Sequence, residues 1–317
     1  MSISMENRKI AIIGAGYVGA SIAYSLVVAR IAREIVLIEQ PSQAEKCHAE
    51  INDIRHGIPF MGSSNIHAGS YSDIKDCDLI IITAGRNRRP DETRLELAKD
   101  NITVAKSVTD EFLKHYNKGV ILIVTNPVDV ITRKITEWVR LKPGMVFGSG
   151  CTLDCSRLSN ILMDFVGLQS ESINTTIIGE HGEGQIVVWS KVLIAGVQID
   201  EYFEAAGIAF GDKEKRQIEE RVLKMGTEII KGKGRTQYGI ASCVSYIANA
   251  ILNHHSTVAC VTSVFCGEYG ISNVAMSLPS IITFNGVERR LVDRLSDTEF
   301  AKLKETAGKL DKSYNSI

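Results

Sequence analysis

His181 lies between glycines in Gly179-Glu180-His181-Gly182, directly after a strand-like run around Thr175–Ile178. An imidazole exchanges protons near neutral pH, and a carboxylate on its other nitrogen would fix the tautomer and support the charged form. Asp154 and Arg157 are three residues apart in a segment, Leu153–Phe165, that reads as helix, so both project from one face. Near the N-terminus, Gly14-Ala15-Gly16-Tyr17-Val18-Gly19 follows a strand-like run and opens a helical one. In that setting the first glycine makes a tight turn, the second admits a pyrophosphate to the backbone, and the third lets helix and strand pack closely. Glu39 follows Gly19 by 20 residues, at the end of the next strand, where a carboxylate grips ribose hydroxyls. A carboxylate there repels a 2′-phosphate, which favours NAD over NADP. A dinucleotide held at a glycine loop, with a histidine able to exchange protons elsewhere in the chain, is what this combination of residues suggests.

These residues need a scaffold, and the hydrophobic pattern supplies one. Lys9–Gly14, Glu34–Glu39, Leu79–Thr83 and Val120–Thr125 are short apolar runs, with Tyr17–Arg30 helical between the first two. Runs apolar on both faces, separated by helical stretches, describe a doubly wound parallel sheet of the Rossmann type. Chemistry in such a sheet belongs at the carboxyl ends of the strands. Two loops leave those ends: one runs from Gly85 through Arg86, Arg88 and Arg89 to Arg94, and the other begins at Asn126-Pro127-Val128-Asp129. The first, rich in arginine and bounded by Gly85 and Pro90, has the makings of a closing lid.

The pattern changes at Gly148–Cys151. Strand-like Gln185–Trp189 and helical stretches at Asp212–Lys231, Gly239–Asn253 and Asp297–Ser313 follow. We therefore expect an α/β protein with a dinucleotide-binding domain at 1–149 and an α+β substrate domain at 150–317, without a tether between them.

Composition narrows the function classes. The chain has 317 residues, with 36 basic and 37 acidic side chains and a net charge of −1. That balance, and the lack of aromatic interleaving in the arginine loop, argues against a nucleic-acid or anionic-membrane partner. Ala11–Ala29 is uncharged, but glycines interrupt it, so a turn followed by a helix describes it better than a membrane span. Seven cysteines without a CxxC pair argue against a disulfide framework and for a reducing, cytoplasmic setting. Cys151 and Cys155, or His254 and His255, have no third ligand at sensible spacing, so no metal site is expected.

Taken together, GAGYVG (14–19), ETRLEL (92–97), TNPVDV (125–130), LDCSRL (153–158), GEHG (179–182), KGRTQYGIA (233–241) and GEYGISNV (267–274) resemble the L-lactate/malate dehydrogenase family in order and spacing over nearly the whole chain. The resemblance implies reversible hydride transfer between NAD and the carbonyl carbon of a 2-oxo acid. It implies His181 as proton donor and acceptor, Asp154 as its orienting partner, and Arg157 as the clamp on the substrate's C1 carboxylate. Arg94 would polarise the carbonyl, Asn126 would seat substrate and cofactor, Asn101 would join the cofactor set, and Thr236 would line the substrate pocket. A homotetramer, with a dimer as the alternative, is implied as well.

The lid position six residues before Arg94 separates the family's branches, with Gln in lactate enzymes and Arg in malate enzymes. Here it is Arg88. A guanidinium buried over a methyl group would lack an anion at ~3–5 kcal/mol, so a dicarboxylate, malate or oxaloacetate, is the expected substrate. Lactate and pyruvate are the alternative, because ETRLEL, YGIA and GEYG are more lactate-like. A non-catalytic dinucleotide-binding protein would have no need for Arg94, Asp154, Arg157 and His181 together. Ser159 and Asn174 stand where family members activated by a sugar bisphosphate carry Arg and His, so no such activation is expected.

Overall fold

The computed structural model describes residues 8–62, 64–86 and 92–317, with the side chains at 94 and 95 also outside the described set. In chain order the first half contains β1 (Lys9–Ile13), α1 (Tyr17–Val28), β2 (Glu34–Ile38), α2 (Ala44–Met61), β3 (Asn65–Gly69), β4 (Leu79–Ile82), α3 (Arg94–Leu113), β5 (Val120–Ile123), α4 (Val128–Val139) and β6 (Val146–Gly148). The second half contains α5 (Thr152–Val166), β7 (Ile173–Asn174), β8 (Ile177–Gly179), β9 (Gln185–Val187), β10 (Leu193–Ile194), β11 (Val197–Gln198), α6 (Ile199–Ala205), α7 (Asp212–Lys233), α8 (Tyr238–Leu252), β12 (Thr257–Cys266), β13 (Ser272–Thr283), β14 (Gly286–Arg290) and α9 (Asp297–Asn315).

Strands β3-β2-β1-β4-β5-β6 lie side by side and parallel, in the order of a doubly wound sheet. Successive side chains leave a strand on opposite faces, so each apolar run feeds two cores. Ile10, Ile12, Ile35, Leu37, Leu79, Ile81, Val120 and Leu122 meet α1, α2 and α8 on one face. Their neighbours Ala11, Ile13, Val36, Ile38, Ile80, Ile82, Ile121 and Ile123 meet α3 and α4 on the other. The uncharged stretch from 11 to 29 divides between β1, the glycine turn and α1. Helix α1 stops at Val28, short of Arg30, because Arg30 turns left-handed (φ 54°) and Ile31 N–H closes onto Leu26 O at 3.2 Å.

The two halves share one sheet. The long antiparallel pair β12–β13 continues it past β6, with Thr262 opposite Gly148, and β8 and β9 extend it further. Helix α8 also crosses over: Val244, Ile247, Ala248 and Ile251 enter the core that holds α1, and Ser245 donates to Ser25 at 2.8 Å. Through this shared sheet the head of α4, which follows β5, meets the loop after β8, where His181 N donates to Asp129 Oδ2 at 2.8 Å. The β12–β13 hairpin is local, with Cys266 opposite Ser272, but its attachment to β6 is invisible to motif reading, because it brings Thr262 opposite Gly148, far away in sequence.

Phe147 sits in this shared region, fully buried on β6 opposite Leu122. Phe147→Ala is expected to lower unfolding stability by about 3–5 kcal/mol, read as a fall in the urea midpoint, with a loss below 1 kcal/mol contradicting this packing.

Candidate active site

The glycine loop joins β1 to α1. Gly14 has φ +106°, which an L side chain rarely adopts, and a Cβ on Gly19 would stand 1.9 Å from Gly14 O. Thr83, at the end of β4, secures the turn by donating to Gly14 O at 2.8 Å. Gly16 differs, since a Cβ there would meet nothing within 4 Å. No side chain caps the amino end of α1 at Gly16, which leaves its first N–H groups for an anion. Glu39 completes the crevice, with its Oε2 accepting from Ala15 N at 2.8 Å and its Oε1 from Gln40 N at 2.9 Å. A tight turn, an open glycine face, uncapped amides and a carboxylate beside them fit a dinucleotide's pyrophosphate and adenosine ribose.

The loops after β4 and β5 are stitched together. Thr125 donates to Ala84 O at 2.8 Å. Asn101, buried on α3, accepts from Arg86 N at 2.9 Å and donates to Arg86 O at 3.1 Å and Asn126 O at 2.7 Å. All its side-chain polar atoms are thus engaged, and it braces Arg86 and Asn126 from behind. Asn126 occupies the start of the second loop, its Oδ1 accepting from Val128 N at 3.3 Å. Arg86 is held at the lid's base by Glu92 and Asp100, which keep its guanidinium firmly charged. Arg88 lies outside the described residues. Arg94 is the first residue of α3, where Thr93 and Glu96 form a reciprocal cap, and its side chain is likewise outside the described set.

Helix α5 and the loop after β8 bring the second group together. Asp154, buried in the first turn of α5, receives Arg157 Nη1 on Oδ1 at 2.6 Å and faces His181 Nδ1 with Oδ2 at 2.6 Å. The Arg157 guanidinium also lies against Gly226 of α7, where a Cβ would stand 3.4 Å from Nη2. Burial alone raises the proton affinity of Asp154, but His181 and Arg157 outweigh it and hold the carboxyl below its usual range. Burial pulls His181 toward the neutral form, yet the Asp154 carboxylate more than offsets this, so its pKa is raised. With Nδ1 engaged by Asp154, Nε2 is the ring nitrogen left to exchange a proton should His181 act as an acid or base.

Thr236 is half-buried in the link between α7 and α8. Its neighbour Arg235 stacks on Tyr17 of the glycine loop, 3.5 Å from the ring centroid, which docks this link to the cofactor crevice.

Motif reading quoted Asp129 without giving it work. It is buried on α4, accepting from His181 N at 2.8 Å and from Thr262 Oγ1 at 2.5 Å. A charge at the head of a helix whose neighbours Val128, Val130 and Ile131 are buried apolar residues was the available signal. Among the described residues no group of three His, Cys, Asp or Glu side chains is placed to hold a metal ion, and no helix is long and apolar enough to cross a membrane.

Comparison with known proteins bears on substrate and family. Solved relatives include an L-lactate dehydrogenase from Clostridium thermocellum (42% identity, TM-score 0.85, covering 98% of this chain and 99% of that one). Another is the minor L-lactate dehydrogenase of Enterococcus mundtii (30% identity, TM-score 0.93, 98% of both chains). An L-lactate dehydrogenase from Thermoanaerobacterium saccharolyticum is 39% identical over 299 residues, 94% of this chain and 96% of that protein. These findings overturn the expectation of malate and oxaloacetate as substrates. That expectation required Arg88 to face the ligand and draw an anion from it. The described base of the lid shows another outcome for a lid arginine, since Arg86 is neutralised by Glu92 and Asp100 within the protein. One arginine therefore carries less weight than the lactate-like frame around it. Residues 8–148 match the family model described as lactate/malate dehydrogenase, NAD binding domain, and 151–317 match the model of that family's alpha/beta C-terminal domain. NAD is thus the cofactor of the glycine-loop crevice, and the chain belongs to the lactate/malate dehydrogenase family.

Proposed function

We propose that this protein is an NAD-dependent L-lactate dehydrogenase, interconverting pyruvate and L-lactate. The observation that carries the reading is the Asp154 carboxylate divided between His181 and Arg157, each at 2.6 Å. The relatives named L-lactate dehydrogenase support the choice of substrate.

When bound, the nicotinamide supplies or accepts the hydride at the substrate's C2. The residues of this chain do the rest. Arg157, with a planar fork of donors, takes the C1 carboxylate in two parallel hydrogen bonds and thereby fixes the orientation of C2. His181 Nε2 gives its proton to the carbonyl oxygen as the hydride arrives and recovers it in the oxidative direction. Asp154 keeps the imidazole in one tautomer and stabilises its charged form. Arg94, entering with the lid, polarises the carbonyl, while Asn126 and Thr236 shape the two sides of the pocket. Glu39 holds the adenosine ribose beside Gly14, Gly16 and Gly19.

We keep a homotetramer as the expected assembly, with a dimer as its alternative, to be read by light scattering. The seven cysteines are all free, which supports a reducing, cytoplasmic setting.

NADH oxidation measured with pyruvate and oxaloacetate side by side is expected to be faster with pyruvate, and a preference for oxaloacetate would reject the proposal. Adding fructose 1,6-bisphosphate to that assay is expected to leave the rate unchanged. Reduction needs the imidazolium, so its rate falls as pH rises through the elevated pKa of His181. In Asp154→Asn that alkaline limb moves to lower pH and kcat falls by about 10²-fold. Arg157→Lys loses the paired contact and raises the KM for pyruvate by about 10–100-fold, the worth of one hydrogen bond to a charged group.

A further inference from the structure

Behind His181 runs a chain of hydrogen bonds with a definite direction. Cys151 N–H donates to Ser277 Oγ at 3.0 Å, Ser277 and Thr262 hydroxyls are 2.9 Å apart, and Thr262 donates to Asp129 Oδ1 at 2.5 Å. His181 N–H reaches the other carboxylate oxygen of Asp129 at 2.8 Å. Because the Thr262 proton points to Asp129, Ser277 must donate to Thr262 while accepting from Cys151. Every donor therefore points toward Asp129, and donors in series polarise one another. Thr262, Ser277, Asp129 and Cys151 are all buried. The chain also explains Gly148-Ser149-Gly150-Cys151: a Cβ on Gly150 would stand 2.5 Å from Ser277 Oγ and 2.6 Å from Thr262 N.

We propose that Asp129 is a positioning residue for proton transfer, fastening the backbone of His181 and, through Thr262 and Ser277, tying it to the cap of α5 one turn from Asp154. This rests on the reading of His181 as the proton carrier. The two ends of the 2.6 Å His181–Asp154 contact come from different parts of the chain, and Asp129 locks one to the other through the backbone of His181 and the Thr262–Ser277–Cys151 path.

Its charge acts as well as its geometry. The charged groups acting on His181 are Asp154 and Arg157 from α5 and Asp129 from α4, while Glu180, its neighbour in the same loop, acts on Asp129 and on Lys309 of α9. Arg157 is ion-paired with Asp154, so the field of that carboxylate is shared. Asp129 has no arginine or lysine paired with it among the described residues, and its field also favours the imidazolium. Burial raises the Asp129 pKa to about 6, against the lowering by Thr262 and His181. Above that pH it is the ionised form, which accepts on both oxygens as the chain requires.

The test uses the full-length protein and two variants. Asp129→Asn removes the charge while keeping the shape, and Thr262→Val breaks the chain while keeping the charge. The His181 ring is titrated by proton NMR, assigned by the resonance that disappears in His181→Gln, so this readout does not depend on turnover. Asp129→Asn is expected to lower the midpoint by about half a pH unit or more, as loss of a neighbouring opposite charge does. In both variants kcat for pyruvate reduction should fall by about tenfold, the scale of a small misplacement of reacting groups, with NADH binding unchanged by fluorescence. An unmoved His181 midpoint in Asp129→Asn, or wild-type kcat in Thr262→Val, overturns the proposal. If Asp129→Asn does not fold, the Thr262→Val rate decides. A wild-type protein that reduces no 2-oxo acid would remove the proposed function, while the NMR titration would still decide the effect of Asp129 on His181.

Discussion

A buried carboxylate can keep its charge only if other groups complete its coordination, and Asp154 has both oxygens so engaged. His181 takes one and Arg157 the other, each at 2.6 Å. This single sharing sets the tautomer of His181, the orientation of the Arg157 guanidinium and the distance between them. Helix α5 provides the rigidity, because Asp154 and Arg157 are one turn apart on the same face. The loop after β8 must then bring His181 to that face, and the sheet running from β6 through β12 and β13 to β8 holds the two in register.

The cofactor crevice is built on a different economy. It depends less on charge than on the absence of side chains: Gly19 permits contact with Gly14, and Gly16 leaves open space at the amino end of α1. Thr83 and the Thr125–Ala84 bond anchor the strand ends around it. The link between α7 and α8, docked on Tyr17 by Arg235, joins this crevice to the substrate side. The glycine-loop crevice and the Arg157 guanidinium, which lies against α7, are consequently held by connected elements, which suits the proposed reaction, where hydride donor and proton donor must meet the same carbonyl.

Much of the site was legible in the sequence, for a physical reason. Glycines in a turn, a carboxylate at a strand end, and an Asp–Arg pair at helical spacing are local requirements, so Gly14, Gly16, Gly19, Glu39, Asp154 and Arg157 could be picked out without coordinates. The parallel strands were equally plain, since burial on both faces demands unbroken apolar runs. Asn101, expected in the cofactor set, has its amide engaged by the two loops it braces, a pairing that no local spacing announces. Substrate choice was misread at Arg88 because the chemical identity of one side chain does not say which anion neutralises it.

The chain's own pattern determined the βαβ scaffold, the glycine loop and the Asp154–Arg157 pair on α5, because each depends on spacings shorter than one turn or one crossover. Only the tertiary structure decided which acid faces His181 and which lies beneath it. It also decided that β12 and β13 extend the sheet, and that Thr262 and Ser277 carry a bond path to Cys151. Several of those links join residues more than a hundred positions apart, as in the 133 separating Asp129 from Thr262. No local periodicity encodes such a meeting; it follows from the packing of the whole sheet against its helices.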